Sequence, residues 1–167
     1  MSQFVKTNGI RLNVLQEDPK DGPLVILLHG FPEFSYSWRK QIGSLTEAGF
    51  RVWAPDQRGY NTSDKPDGLD AYSLDELAAD VIGLIDAAGV EKALIVGHDW
   101  GASVAWWTAG KYPERIHKMV VMNVPHGGVM QKHLKKSLTQ LRKSWYMFFF
   151  QIPWLPETLA ALNSDLS

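Results

Sequence analysis

Residues 96–104, Val-Gly-His-Asp-Trp-Gly-Ala-Ser-Val, follow the apolar run ALIV (93–96) and lead into an apolar stretch of helical texture. A buried strand that turns through Gly-His-Asp-Trp-Gly into a helix has the spacing of a G-x-nucleophile-x-G elbow. Asp99 stands where such an elbow usually carries serine. The two glycines are expected to let the backbone turn sharply and lift one side chain, in a strained conformation, clear of the sheet. A carboxylate placed there can attack carbon. Attack at an sp³ centre gives an alkyl ester that water can cleave at its carbonyl, so one hard displacement becomes two easier steps. That chemistry suits epoxides or alkyl halides rather than amides. The plainer alternative for Asp99 is a helix cap or a partner of the helix dipole.

Working outward, the flanking segments alternate between strand and helix. Residues 4–16 carry Asn8-Gly9, a strong two-residue hairpin signal, and predict an antiparallel edge. Residues 24–28 (LVILL) form a continuous apolar run bounded by Gly22-Pro23 and His29-Gly30, the pattern of a strand covered on both faces. A helix over 38–48 closed by Gly49, a strand over 50–54 and a helix over 74–88 opened by the capping box Ser73-x-x-Glu76 come next. A strand over 92–96, the elbow, a helix over 101–112 and a strand over 116–122 complete the pattern. This order predicts an α/β fold with a mainly parallel sheet flanked by helices.

Beyond Asn123-Val124-Pro125 the texture changes to a basic amphipathic stretch with Lys132, Lys135, Lys136, Arg142 and Lys143, then the aromatic run Trp145-Tyr146-Met147-Phe148-Phe149-Phe150. The charges read as a solvated helix face. The sequence therefore divides into a core over 1–125 and the start of a helical segment over 126–167.

Composition narrows the function classes. The 167 residues are 45% hydrophobic and 11% aromatic, enough for a real core in one globular domain. A net charge of −1 offers no electrostatic footprint for nucleic acid or an anionic membrane. No cysteine is present, which removes disulfides, thiolate catalysis and most zinc sites and fits a cytoplasmic protein. No apolar stretch approaches the roughly 18 residues needed to span a bilayer, so membrane insertion is not expected. No cofactor or metal is implied, and oligomeric state is unreadable.

Five strings in register carry a family resemblance: HGFPEFSYSW (29–38), DQRGYNTSDKP (56–66), GHDWGASVAWW (97–107), NVPH (123–126) and SWYMFFFQIPWLPE (144–157). Together they resemble the α/β-hydrolase-fold epoxide hydrolases over nearly the whole chain. The resemblance implies that Asp99 is the nucleophile and that the backbone N–H groups of Phe31 and Trp100 form the oxyanion hole. Trp100, Phe31 and Pro32 would line the pocket for a small apolar epoxide, and Pro32 with His29 would shape the loop. Residues 126–167 would open a helical cap, on which Tyr146, ahead of Gln151, matches the phenol that protonates the departing epoxide oxygen. Its plainer reading is a core aromatic like Phe148. A second cap tyrosine has no match.

The base histidine and its acid partner, in this family on late loops, are expected beyond Ser167, because Asn123 cannot supply an anion and His29, His98, His117, His126 and His133 each have another reading. The C-terminal part of the fold would then be missing. Asp56 and Arg58 read as a loop-locking salt bridge, and Trp106 and Trp107 as mostly core. Two alternatives stay open: a haloalkane or haloacid dehalogenase sharing Asp99, which Phe31, Trp100 and Tyr146 together disfavour, and a fragment that turns nothing over, is alkylated at Asp99 at most, and exposes an aggregation-prone sheet edge.

Overall fold

The computed structural model describes residues 1–17, 21–136, 142 and 145. Two compact units divide the chain, Met1–Pro125 and His126–Ser167. The first holds a six-stranded sheet of β1 (Ser2–Thr7), β2 (Ile10–Glu17), β3 (Leu24–Leu28), β4 (Arg51–Pro55), β5 (Ala93–His98) and β6 (Ile116–Met122) in the order β1-β2-β4-β3-β5-β6. β1 pairs antiparallel with β2 and β2 with β4; β4, β3, β5 and β6 run parallel. The hairpin turn falls on Asn8 and Gly9, both at positive φ (39° and 77°), as a two-residue turn with the strand's own twist requires.

Alternation along β3 and β4 builds two cores. Leu24, Ile26, Leu28 and Trp53 pack with Leu77, Val81, Leu84 and Ile85 of α2 (Leu74–Ala87) and Val104 and Ala105 of α3 (Trp100–Lys111). Val25, Leu27, Val52 and Ala54 pack on the other face with Trp38 and with Ile42 of α1 (Arg39–Glu47). All five residues of β3 are buried, which is why it reads as an unbroken apolar run. The fold is thus the doubly covered, mainly parallel α/β architecture predicted.

Two local readings need correction. The Ser73 side chain accepts from the Glu76 N–H at 3.3 Å, but the reciprocal half of the capping box is absent. The Ser73 N–H donates instead to the Asp70 carbonyl, and Glu76 Oε2 accepts from Asn8 Nδ2 at 2.7 Å. A short 3₁₀ turn over Ser35–Trp38 occupies the chain ahead of α1. Trp107 is 46% exposed rather than core and Trp106 is half-buried. The face of α3 that meets the sheet is carried by Gly101, Ala102, Val104, Ala105 and Thr108, so Trp107 turns outward and donates its indole N–H to Asp75 at 2.8 Å.

In the second unit, α4 (Gly127–Lys136) starts at His126, whose carbonyl accepts from the Val129 and Met130 N–H groups and whose Nδ1 accepts from Gly128 N–H. Arg142 and Trp145 are helical and exposed. No helix among the described residues is long and apolar enough to cross a membrane.

Candidate active site at the strand-to-helix elbow

β5 ends at His98 and α3 begins at Trp100, so Asp99 alone makes the turn. It does so at φ 50°, ψ −116°, a conformation that non-glycine residues adopt only at a cost. The flanking glycines are not themselves at positive φ. Their work is close approach: a Cβ at Gly97 would lie 2.4 Å from the Gly101 carbonyl oxygen, and one at Gly101 would lie 2.2 Å from the Leu28 carbonyl oxygen. The sequence expectation that glycine supplies the turn's freedom is corrected accordingly. The glycines let β5, α3 and the end of β3 meet, and the strain sits on Asp99. The Asp99 N–H is held by the Met122 carbonyl at 3.2 Å, and the Asp99 carbonyl starts α3 by accepting from Ala102 and Ser103.

The loop after β3 faces this carboxylate. Phe31 N–H donates to Asp99 Oδ1 at 3.1 Å. Gly30 permits the approach, since a Cβ there would stand 2.7 Å from Asp99 Cβ. Phe31 and Trp100 are 57% and 41% exposed, so apolar surface flanks the carboxylate. Pro32, joined to Phe31 by a cis bond, is exposed as well. Trp100 N–H is the first amide of α3, and a helix has no carbonyl of its own to receive it. Tyr146 lies outside the described residues.

The histidines fall into structural roles. His29 is fully buried; its Nδ1–H donates to the Gly30 carbonyl at 2.9 Å and its Nε2 accepts from Gln57 N–H at 3.0 Å. Burial pushes this imidazole below its ordinary pKa, against the opposing pull of the Gly30 carbonyl and the Asp56 and Glu33 carboxylates. His98 sits between Glu33 (Nδ1 to Oε2, 3.4 Å) and Asn123, whose Nδ2 donates to Nε2 at 3.0 Å. His117 is exposed on β6, and His126 caps α4.

Asp56 and Arg58 do lock the loop, but not to each other. Asp56 accepts from Ser35 N–H (2.9 Å), Asn13 Nδ2 (2.9 Å) and Asn61 Nδ2 (2.8 Å). Burial raises its pKa, yet these bonds outweigh burial and leave the carboxyl below its ordinary value. Arg58 forms a two-pronged buried pair with Asp80, Nε to Oδ2 at 2.8 Å and Nη2 to Oδ1 at 2.7 Å. Three residues at the site escaped sequence reasoning. Gln57 clamps His29; Glu33 meets His98; Tyr60 stacks edge-on to His29 with centroids 4.7 Å apart. Burial, and then the Asp99 charge, pushes the Tyr60 phenol up. All lie in the quoted motifs, and motif membership was the available signal.

Residues 23–164 match the alpha/beta hydrolase fold family. The chain is 52% identical over 155 residues to the AB hydrolase superfamily protein YfhM of Bacillus subtilis, covering 93% of this chain and 54% of that protein. It is 45% identical to Epoxide hydrolase 1 of Caenorhabditis elegans, covering 97% of this chain and 40% of that one. Among solved structures, it matches a mutant of an epoxide hydrolase from Bacillus megaterium, complexed with its naphthyloxy-propanediol product, at TM-score 0.84 and 38% identity, over 90% of this chain and 52% of that one. The chain thus spans about half the length of the relatives it matches.

Proposed function

The chain belongs to the alpha/beta hydrolase fold family, and from that membership we propose that it is the nucleophile-bearing part of an epoxide hydrolase. The carrying observation is the Phe31 N–H to Asp99 Oδ1 bond of 3.1 Å at the strained elbow. It holds one carboxylate oxygen against a backbone donor and leaves Oδ2 to attack. Oδ2 bonds to an epoxide carbon, that carbon's bond to the ring oxygen breaks, and the resulting alkoxide takes a proton. Tyr146 is the proposed donor, since a phenol can give its proton to an alkoxide and take it back later. Water then adds to the ester carbonyl, charge develops on Oδ1 against the Phe31 and Trp100 N–H groups, and a vicinal diol leaves. Phe31, Pro32 and Trp100 supply an apolar wall. The relatives named for epoxide hydrolysis, at 38–45% identity, support this substrate class over alkyl halides.

Ester hydrolysis needs a general base, and among the described histidine side chains none is placed for it. The reaction proposed for residues 1–167 themselves is therefore alkylation. Incubated with styrene oxide, the chain is expected to gain one adduct by intact mass, mapped to Asp99 and absent in Asp99→Ala. An adduct that persists in Asp99→Ala, or none on folded protein, overturns the proposal; halide release from a haloalkane with no epoxide adduct would reassign the substrate.

A further inference from the structure

Consecutive residues at the end of β4 hold both ends of the loop that presents the Phe31 N–H. Asp56 Oδ1 accepts from Ser35 N–H at the far end, 2.9 Å. At the near end Gln57 grips His29 twice: its N–H donates to His29 Nε2 at 3.0 Å, and its side-chain Nε2 donates to the His29 carbonyl at 2.6 Å. Gln57 is 5% exposed, and its neighbour Arg58 is fixed by the Asp80 pair. Between the two anchors the loop closes on itself through Glu33 N–H to the Gly30 carbonyl, 3.1 Å, an oxygen that also receives His29 Nδ1–H. A Cβ at Gly30 would stand 2.7 Å from Asp99 Cβ, so this backbone runs close against Asp99 and only one residue separates His29 from Phe31 to carry a shift between them.

We infer that Gln57 is a positioning residue for the oxyanion donor, setting the Phe31 N–H against Asp99 Oδ1 through its bond to the His29 carbonyl. The inference rests on the reading of Asp99 as nucleophile. Its consequence differs between the two chemical steps. In alkylation, negative charge leaves the carboxylate as Oδ2 bonds to carbon, so the donor at Oδ1 loses strength along the reaction and its displacement does not slow the step. In cleavage of the ester, charge returns to Oδ1, and a misplaced donor is felt in full. Removing one such donor costs about 10² to 10³ in rate, so displacing it is expected to cost about tenfold or more.

Hydroxylamine makes the second step measurable without a protein base. It adds to the Asp99 ester carbonyl through its nitrogen and puts the charge on Oδ1. Collapse breaks the bond between the carbonyl carbon and the alkyl oxygen, the alkoxide takes the proton lost by nitrogen, and Asp99 hydroxamate and phenylethanediol result.

The test compares the wild-type chain with Gln57→Met, both shown folded by circular dichroism, with styrene oxide for the first step and hydroxylamine for the second, each followed by intact mass. Gln57→Met is expected to alkylate no more slowly than wild type while its ester is cleaved about tenfold more slowly or worse. Equal rates in both steps, or a fall by the same factor in both, overturns the inference, the latter because it marks a merely structural residue. Failure of the wild type to form an Asp99 adduct is a separate result, visible before any variant is made, and removes the premise. Should Gln57→Met not fold, Gln57→Ala carries the same comparison, because the truncated side chain has no donor for the His29 carbonyl.

Discussion

Four non-glycine residues among those described sit at positive φ, and three of them are asparagines: Asn8, Asn61 and Asn123. Asparagine tolerates the left-handed region because its short side chain can bond locally. Asp99, the fourth, combines φ 50° with ψ −116°, away from that tolerated basin, and is kept there by the bonds at its N–H and carbonyl and by the packing of Gly97 against Gly101 and Ala102. Strain of this kind costs about 1–3 kcal/mol and persists only where the surroundings over-determine it. Replacing Asp99 by glycine relieves the strain but adds about 0.5–1 kcal/mol of unfolded-state entropy. Asp99→Gly is therefore expected to lose alkylation and to exceed Asp99→Ala, which loses the same Phe31 bond but keeps a Cβ at this φ, by about 1 kcal/mol in stability, read as a higher urea midpoint at unchanged slope. A midpoint equal to or below that of Asp99→Ala would mean that the elbow is not strained at this residue.

At the scale of elements, what was legible in the sequence was what depends on near neighbours. The Asn8-Gly9 hairpin, the five-residue apolar strand and the N-cap at Ser73 are local events, and each stands where periodicity and turn chemistry put it. The identity of the elbow was legible for the same reason, because five residues encode it. What was not legible depends on residues far apart in the chain. Gln57 meets His29 across 28 positions, Glu76 is drawn from its cap to Asn8 across 68, and Arg58 chooses Asp80 over the nearer Asp56. Tyr146, on which the proton-donor reading depends, lies outside the described residues and stays a proposal. The glycines illustrate both sides. Gly97 and Gly101 were recognised by spacing, but their function as contact points between β5, α3 and the end of β3 emerges only from the packing. Gly101→Ala is accordingly expected to destabilise by more than about 3 kcal/mol or to prevent folding, since its Cβ would meet two backbone carbonyl oxygens. Gly43, in mid-α1 with nothing within 4 Å of an added Cβ, is the matched control. Gly43→Ala is expected to stabilise by about 0.5–1 kcal/mol through helix propensity. Thermal midpoints moving in the same direction for both variants would contradict the close-approach account.

Across the first unit, the parallel strands bring their C-terminal ends together: β4 ends at Pro55, β3 at Leu28, β5 at His98 and β6 at Met122. The residues just past those ends are Asp56, His29, Asp99 and Asn123, so one rim of the sheet gathers the site, as open α/β sheets generally do. Two of those four groups titrate with shifted pKa, and both shifts have the same sign. His29 is neutral in the fold and pushed below its ordinary value near 6.5 by burial. The unfolded chain therefore binds a proton at higher pH than the folded one does, and the stability that the neutral imidazole represents is complete above about 6.5 and is lost as pH falls through the folded value. Asp56 is held below its ordinary value of 3.8 by the bonds that outweigh its burial, so its contribution is complete above that value and is lost at more acid pH. Acid should thus weaken the rim in two stages, His29 first and Asp56 second. In urea titrations at fixed ionic strength, the midpoint is expected to fall from pH 7 to pH 5 and fall again below pH 4. His29→Asn, lacking the titrating ring, is expected to start from a lower midpoint and to show a shallower fall between pH 7 and 5 than wild type. A wild-type profile flat across that upper window would mean that unfolding takes up no proton there, and an identical slope in His29→Asn would mean that another group takes it up; either result contradicts a His29 held neutral by burial.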